Sequence, residues 1–319
     1  MNALLESIRL DSAECDDFGR LVDLTGHVGK PSRALGGERL LVPVDGSRAS
    51  LNALRVAARA VGRRPGATLH LLNAQVAIGA DARSDTLVDQ GLACTASARA
   101  LLDAAGIPYL LHLVAGPAGT AIVEHAREKD VSEIVMGADG IGGVVCAILG
   151  SVAADVIARV DQPVTLVRAG IHPDELAGAG EDWLFACDGS AAALRAARHL
   201  AGRLATAPRA RRGRVHVLNV RMPGGLLPAL PGRVDAAMRR QAAQECAAAL
   251  DCLETAGIAC LFHVESGDPV AQILRFAEDA GCGRIVMGTS GPGSLDSLIA
   301  GAVSNGVLRR APLPVTLVK

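Results

Sequence analysis

The residues best placed to do chemistry are glycines. Ile134-Val135-Met136 is a short apolar run, and Gly137, Gly140, Gly150 and Ser151 follow it with the spacing G-x2-G-x9-G-S. Glycine at a strand end lets backbone N–H groups approach a ligand with no Cβ in the way. A helix starting at Gly150 or Ser151 leaves its first N–H groups unpaired, and its dipole favours an anion there. The Ser151 hydroxyl adds a donor. The chemistry expected is a phosphate cradle at the carboxyl edge of a strand. One isolated copy would fit ordinary turn glycines and a Ser N-cap equally well. A second copy exists: after Ile285-Val286-Met287, Gly288, Gly291 and Gly301 each lie 151 residues beyond Gly137, Gly140 and Gly150, with Ala302 where Ser151 stands.

The elements that must position these residues alternate. Arg39 to Val44 reads as a buried strand ending in Asp45-Gly46-Ser47, and a helix follows from Ala49 to about Val61 with Leu51, Leu54, Ala58 and Val61 on one face. Strands are expected at Thr68 to Ala74, Pro108 to Val114, Glu133 to Met136 and Pro163 to Val167. Helices are expected from Thr86 to Ala105 (closed by Gly106), from Ala118 to Asp130 and from Ser151 to about Val160. This alternation implies right-handed βαβ units in an open, doubly wound parallel sheet, whose ligands bind beyond the carboxyl ends of strands. Asp45, Ala74 and Gly137 all fall at such ends.

Residues 170–182 read as a linker, and then the pattern restarts. Asp188-Gly189-Ser190 repeats Asp45-Gly46-Ser47, His216 repeats His70, His263 repeats His112, and Pro314 to Val318 repeats Pro163 to Val167. The chain is one domain written twice: an N-terminal extension at 1–36, a first domain at 37–169 and a second at 183–319. The extension is expected to be partly helical from Leu4 to Leu10.

Composition narrows the classes. Half of the 319 residues are hydrophobic and only 2% aromatic, so the core must be aliphatic, as in helices packed on parallel strands. A net charge of −1, with no basic stripe and little aromatic material for stacking, argues against nucleic acid. The eight cysteines form no C-x-x-C pair, so neither a zinc knuckle nor a disulfide framework is expected. No leader pattern opens the chain, and reduced thiols in the cytoplasm are the expectation. The mean hydropathy is +0.31, yet the most apolar stretch, Ile141 to Ala154, is shorter than the ~20 residues of a membrane span.

The motif V-P-V-D-G-S at 42–47, the glycine element at 137–151 and the closing P-V-T-L-V strand together resemble the universal stress protein family in its tandem form, over residues 38 to 319. The resemblance implies two five-stranded, Rossmann-like parallel-sheet domains and, for the first repeat, the branch that binds ATP, with any Mg2+ held by the phosphates. It places Pro43 and Val44 at the adenine, Asp45 beside the nucleoside and Ala74 under the base. Met136 and Gly137 go to the ribose side, and Gly140, Gly150, Ser151 and Val152 to the phosphates. Asp188, Val220, Met287, Gly288, Gly291 and Gly301 take matching places in the second repeat. Ala186-Cys187 replaces Pro43-Val44 there, and Ala302 lacks the hydroxyl. The two closing strands are expected to pair the repeats within one chain, with a homodimer of whole chains as a further expectation.

Other residues were weighed on chemistry alone. Asp45 and Asp188 fit a ligand contact or the cap of a strand-to-helix turn. The histidines His70, His112, His216 and His263 read as duplicated strand residues rather than metal ligands, since no cluster with ligand spacing accompanies them. Arg209, Arg211, Arg212 and Arg214 read as a solvated loop, and Cys187 as an inert buried thiol. Neither glycine loop carries a lysine or reads as Walker A or G-x-G-x-x-G, so a fast P-loop NTPase or a conventional dehydrogenase is not expected. The expectation is an ATP-binding regulatory protein of the stress response. The alternatives are a slow ATP-hydrolysing or phosphotransfer enzyme and a dimerisation module that binds no nucleotide.

Overall fold

The computed structural model describes residues 8–16, 21–29, 37–64, 66–76, 84–139, 149–172, 182–206, 213–222, 236–289 and 301–319. Gly140 and Gly291, the middle glycine of each cradle, lie outside the described residues, as do Arg209, Arg211 and Arg212. The chain divides into two compact units, residues 1–173 and 174–319.

In the first unit β1 (Arg9–Cys15) and β2 (Leu21–Val28) precede β3 (Arg39–Pro43), α1 (Arg48–Gly62), β4 (Thr68–Gln75), α2 (Ser84–Ala104), β5 (Tyr109–Ala115), α3 (Ala118–Glu128), β6 (Glu133–Gly137), α4 (Ser151–Arg159) and β7 (Val164–Val167). The strands lie in the order β1-β2-β5-β4-β3-β6-β7. From β5 to β7 every pairing is parallel, which is the doubly wound arrangement with its switch point between β3 and β6. β3, β4 and β6 are buried on both faces, and leucines such as Leu40, Leu41, Leu69 and Leu71 are wholly enclosed. Each such side chain contributes about 1.5–3 kcal/mol, so an aliphatic core suffices without aromatics.

The extension differs from expectation. Arg9 and Leu10 begin β1 rather than a helix, and β1 and β2 form an antiparallel hairpin whose second strand pairs with β5. The reason is the free edge of β5, whose unpaired backbone groups need partners. β2 supplies them and buries Leu24, while β1 remains exposed along its length and carries the charges Arg9, Asp11 and Glu14. The first sheet is therefore larger than five strands and not wholly parallel.

The second unit runs β8 (Trp183–Ala186), α5 (Ala191–Ala205), β9 (Val215–Arg221), α6 (Ala236–Thr255), β10 (Cys260–Ser266), α7 (Pro269–Asp279), β11 (Arg284–Gly288), α8 (Ala302–Arg310) and β12 (Val315–Val318). Its order, β12-β11-β8-β9-β10, is the same doubly wound sequence, all parallel. Among the described residues no helix is long and apolar enough to cross a membrane.

Candidate functional site

At the carboxyl ends of β3, β4 and β6 the first unit has a pocket of about 130 Å³. Pro43, Val44, Asp45, Ala74, Met136, Gly137, Gly150, Ser151 and Val152 all line it, so every described residue expected there from the sequence is brought together. The second unit has the matching pocket, of about 500 Å³, and Asp188, Val220, Met287, Gly288 and Gly301 line it.

Three local devices shape the pocket. The first is the turn after β3. Gly46 takes φ +81°, a left-handed conformation that glycine adopts without strain, and the Ser47 N–H donates to Asp45 Oδ1 at 2.9 Å. Ser47 then caps α1 by accepting from the Ser50 N–H. Gly189, Asp188 and Ser190 repeat this turn, with Ser190 N–H to Asp188 Oδ1 at 3.0 Å. Both aspartates thus hold the turn with one carboxylate oxygen, and both line their pockets.

The second device is an asparagine that the sequence reading passed over. Asn73 Nδ2 donates to the Val44 carbonyl at 2.7 Å, and Asn219 Nδ2 to the Cys187 carbonyl at 2.8 Å. Each ties the end of one strand to the pocket residue on the next. The third device is the start of α4. Gly150, not Ser151, is its N-cap; it makes no side-chain cap bond, and its own N–H is taken by the Ala138 carbonyl at 2.8 Å. The N–H groups of Ser151, Val152 and Ala153 therefore open the helix with no acceptor inside it. Gly301 at α8 likewise has no side-chain cap, whereas Ser47, Ser190 and Asp268 each cap their helix. The start of α3, with Pro117 as N-cap, also lacks a side-chain cap; at the two glycine starts, Gly150 and Gly301, an anion is a natural acceptor.

Gly137 lines the pocket and also has a packing role. A Cβ there would stand 2.9 Å from Ala49 Cβ and 3.0 Å from the Ser50 nitrogen, so the missing side chain makes room for α1. At Gly288 the same Cβ would meet the Ala192 carbonyl carbon at 2.5 Å. These first glycines of each cradle serve helix–strand packing.

Several lining residues carried no sequence signal. Asp139 follows β6 at the rim, but its carboxylate accepts from the Ala169 N–H at 2.9 Å and faces Arg168 at 3.9 Å. Leu72 and Ile122 complete the apolar wall with Val44 and Met136, all nearly inaccessible to solvent. Exposed Arg195 joins the second pocket. Cys187 is buried there against Cys246, whose thiol donates to the Cys187 carbonyl at 3.6 Å, and the neighbouring Cys246 thiol, with burial, pushes the Cys187 thiol up. It is an inert thiol at neutral pH.

The two domains define a tandem doubly wound α/β protein with a ligand pocket at each switch point. The family model of the universal stress protein family matches residues 37–168 and 183–319, and the chain belongs to that family. Among solved structures it is similar to a universal stress protein from Archaeoglobus fulgidus DSM 4304, at 21% identity and a TM-score of 0.65, covering 89% of this chain and 99% of that one. It is also similar to a functionally unknown protein from Pseudomonas aeruginosa PAO1, at 16% identity and a TM-score of 0.57, covering 89% and 93%. No curated protein matches it.

Proposed function

We propose that the protein binds ATP, that the first repeat is the tighter site, and that occupancy regulates a partner in a stress response rather than driving turnover. The observation that carries the reading is the uncapped start of α4 facing an apolar wall across one pocket. A nucleotide needs that pair: donors for phosphate, and a lipophilic slot for the base between Val44, Met136 and the backbone of Ala74. The second oxygen of Asp45 would accept from a ribose hydroxyl. Among the described residues neither pocket is lined by a lysine or a histidine that would serve hydrolysis, and Mg2+ would arrive on the phosphates.

The asymmetry rests on Ser151 against Ala302. A hydrogen bond to a charged group contributes about 1.5–3 kcal/mol, or roughly ten- to a hundredfold in affinity. Arg195 and the larger cavity favour the second site, but an exposed arginine contributes only about 0–1 kcal/mol, so the hydroxyl prevails. The test begins with mass spectrometry of small molecules released from purified protein. Titration calorimetry of ATP into stripped protein then compares Ser151→Ala and Ala302→Ser. Ser151→Ala should pull the first site toward the second. Two equal sites, or a stronger second one, would overturn the asymmetry; no adenine nucleotide bound at all would overturn the function. Phosphate release that is lost in Ser151→Ala would make it a slow enzyme instead.

A further inference from the structure

Three histidines of the first unit meet in its core. His70 on β4, His112 on β5 and His125 on α3 are all buried, and one ring nitrogen from each lies within 4.8 Å of the others. His70 Nδ1 is 3.1 Å from His112 Nε2, and the His125 ring stands edge-on to His112 with centroids 4.1 Å apart. Among the described residues this is the one group of three potential ligands that converge in this way. His125 is 4% exposed, and its Nε2 has no hydrogen-bond partner. A buried polar atom left unpaired costs about 1–3 kcal/mol, and a ligand on this nitrogen would remove that cost.

The protonation states suit a ligand set. Burial holds His70 down at about 4 and His125 at about 3, and it holds His112 well below the ordinary imidazole range. All three rings are neutral near pH 7, the form that ligates metals. An outer contact orients one of them. Thr25 Oγ1 lies 2.9 Å from His112 Nδ1, and the Thr25 hydroxyl donates to Asp23 Oδ1 at 3.3 Å. A ring that gives its Nδ1–H to Thr25 presents the Nε2 lone pair to the cluster, the second-shell arrangement seen around ligating histidines. The N-terminal hairpin brings this contact, since β2 pairs with β5 in the register Thr25↔His112.

The second repeat shows what packing without a ligand looks like. His216 Nδ1 and His263 Nε2 are again 3.1 Å apart, but Phe276 stands 151 residues after His125, its ring 4.7 Å from His263. A phenyl ring fills that position, so no third imidazole converges there; the His216 Nε2 beside it is buried without a hydrogen bond and lies 3.5 Å from Asp182 Oδ2.

We propose that His70, His112 and His125 bind one borderline-soft divalent cation, Zn2+ as the type, through one nitrogen each. The fourth position is left to water or a small anion. Two nitrogens each ~2.0–2.1 Å from a tetrahedral ion stand about 3.3 Å apart, which the His70–His112 pair nearly meets already; His125 has to swing in. Hard ions such as Mg2+ and Ca2+ prefer oxygen ligands and are not expected here. The nearby charges of Arg39 and Lys129 help keep His70 neutral and also oppose a dication, so the lone pairs must supply the affinity.

The experiment uses the full chain without an affinity tag, stripped with a chelator and refolded with or without Zn2+. Retained zinc is counted by elemental mass spectrometry. One zinc per chain is expected, and Co2+ in its place should show visible d–d bands without a thiolate charge-transfer band. His125→Phe, the residue found at the equivalent place in the second repeat, should hold no zinc. Its metal-free form should melt no lower than the parent, since a buried unpaired nitrogen is gone. Thr25→Val should keep the stoichiometry but weaken Zn2+ about 10–100-fold. A parent that retains no zinc, a His125→Phe variant that still retains it, or a thiolate band with Co2+ would each overturn the site. An unchanged affinity in Thr25→Val would overturn the outer contact.

Discussion

Replacing Gly288 by alanine tests whether the leading glycine of each cradle serves the ligand or the fold. The new Cβ would lie 2.5 Å from the Ala192 carbonyl carbon, 2.7 Å from its oxygen and 2.7 Å from the Ala193 nitrogen. All three are backbone atoms at the start of α5, so no side chain can rotate away. Ordinary contact begins at 3.4 Å, which leaves the start of α5 or the end of β11 to move by about 0.9 Å. That helix presses Ala193, Ala196, Ala197 and Leu200 into the core, so the shift disturbs a packed interface. Overpacking of this kind costs about 1–3 kcal/mol, and the backbone clash places Gly288→Ala at the upper end. At Gly137 the nearest atom, Ala49 Cβ, is 2.9 Å away, with the backbone Ser50 N and Ala49 C at 3.0 and 3.1 Å; the shift needed is about 0.5 Å, so Gly137→Ala should cost less. The chain carries one tryptophan and one tyrosine, and they separate the two effects. Trp183 on β8 reports the second unit by fluorescence in urea, and buried Tyr109 on β5 reports the first by near-UV dichroism. Gly288→Ala should move the Trp183 transition to lower urea and leave the Tyr109 transition in place; Gly137→Ala should do the reverse. Two unmoved transitions together with lost nucleotide affinity would refute the packing argument and return these glycines to the ligand.

Three further outcomes follow from particular contacts. Asn73→Ala removes the side-chain bond to the buried Val44 carbonyl and should cost about 1–3 kcal/mol in the Tyr109 urea transition; Asn219→Ala should do likewise for Trp183. Burial tends to raise the Asp182 carboxyl, but bonds from the Arg214 backbone N–H and side chain outweigh it and hold the pKa below 3.8. A lowered carboxylate stabilises the folded state above about pH 3.8, and that stability is lost as pH falls through the folded value. Asp182→Asn should therefore flatten the acid limb of second-unit stability, and an unchanged limb by Trp183 fluorescence would count against the pairing. Pairing of the Pro163 to Val167 and Pro314 to Val318 strands, proposed from their apolar repetition, predicts that the two halves co-elute after cleavage at a protease site placed within residues 173–181. Separate elution of the halves at working concentration would rule it out.

The sequence made legible whatever depends on local periodicity or on repetition at a fixed offset. The aliphatic runs became strands within a residue or two, and the described cradle residues all came to one pocket because each sits at a strand end in a doubly wound order. Contacts between distant elements were not legible. His125 lies on a helix with buried neighbours on either side, and nothing in its local pattern says that it points at two strand histidines. Cys187 and Cys246 are 59 residues apart in different elements. The hairpin was misread because its strands are specified by the open edge of β5, a partner that exists only once the sheet has formed. Gly137 was found as a pocket residue, but its packing against α1 was not legible, since a glycine that admits a ligand and one that admits a helix look identical in one dimension.

Comparing the two repeats separates frame from content within a single molecule. The Asp-Gly-Ser turn, the strand-end asparagine, the packing glycine and the glycine N-cap stand at both pockets with nearly the same hydrogen bonds. Each of these acts on backbone geometry, so losing one would cost the fold whatever the pocket holds. The differences fall where side chains face a cavity or a buried gap: Ser151 against Ala302, Val44 against Cys187, His125 against Phe276. Such positions can change without moving a strand, and they change what each unit can bind. One fold copied twice can therefore present unequal pockets and, among the described residues, a single three-histidine cluster, with the asymmetry written in a handful of side chains on a largely repeated frame.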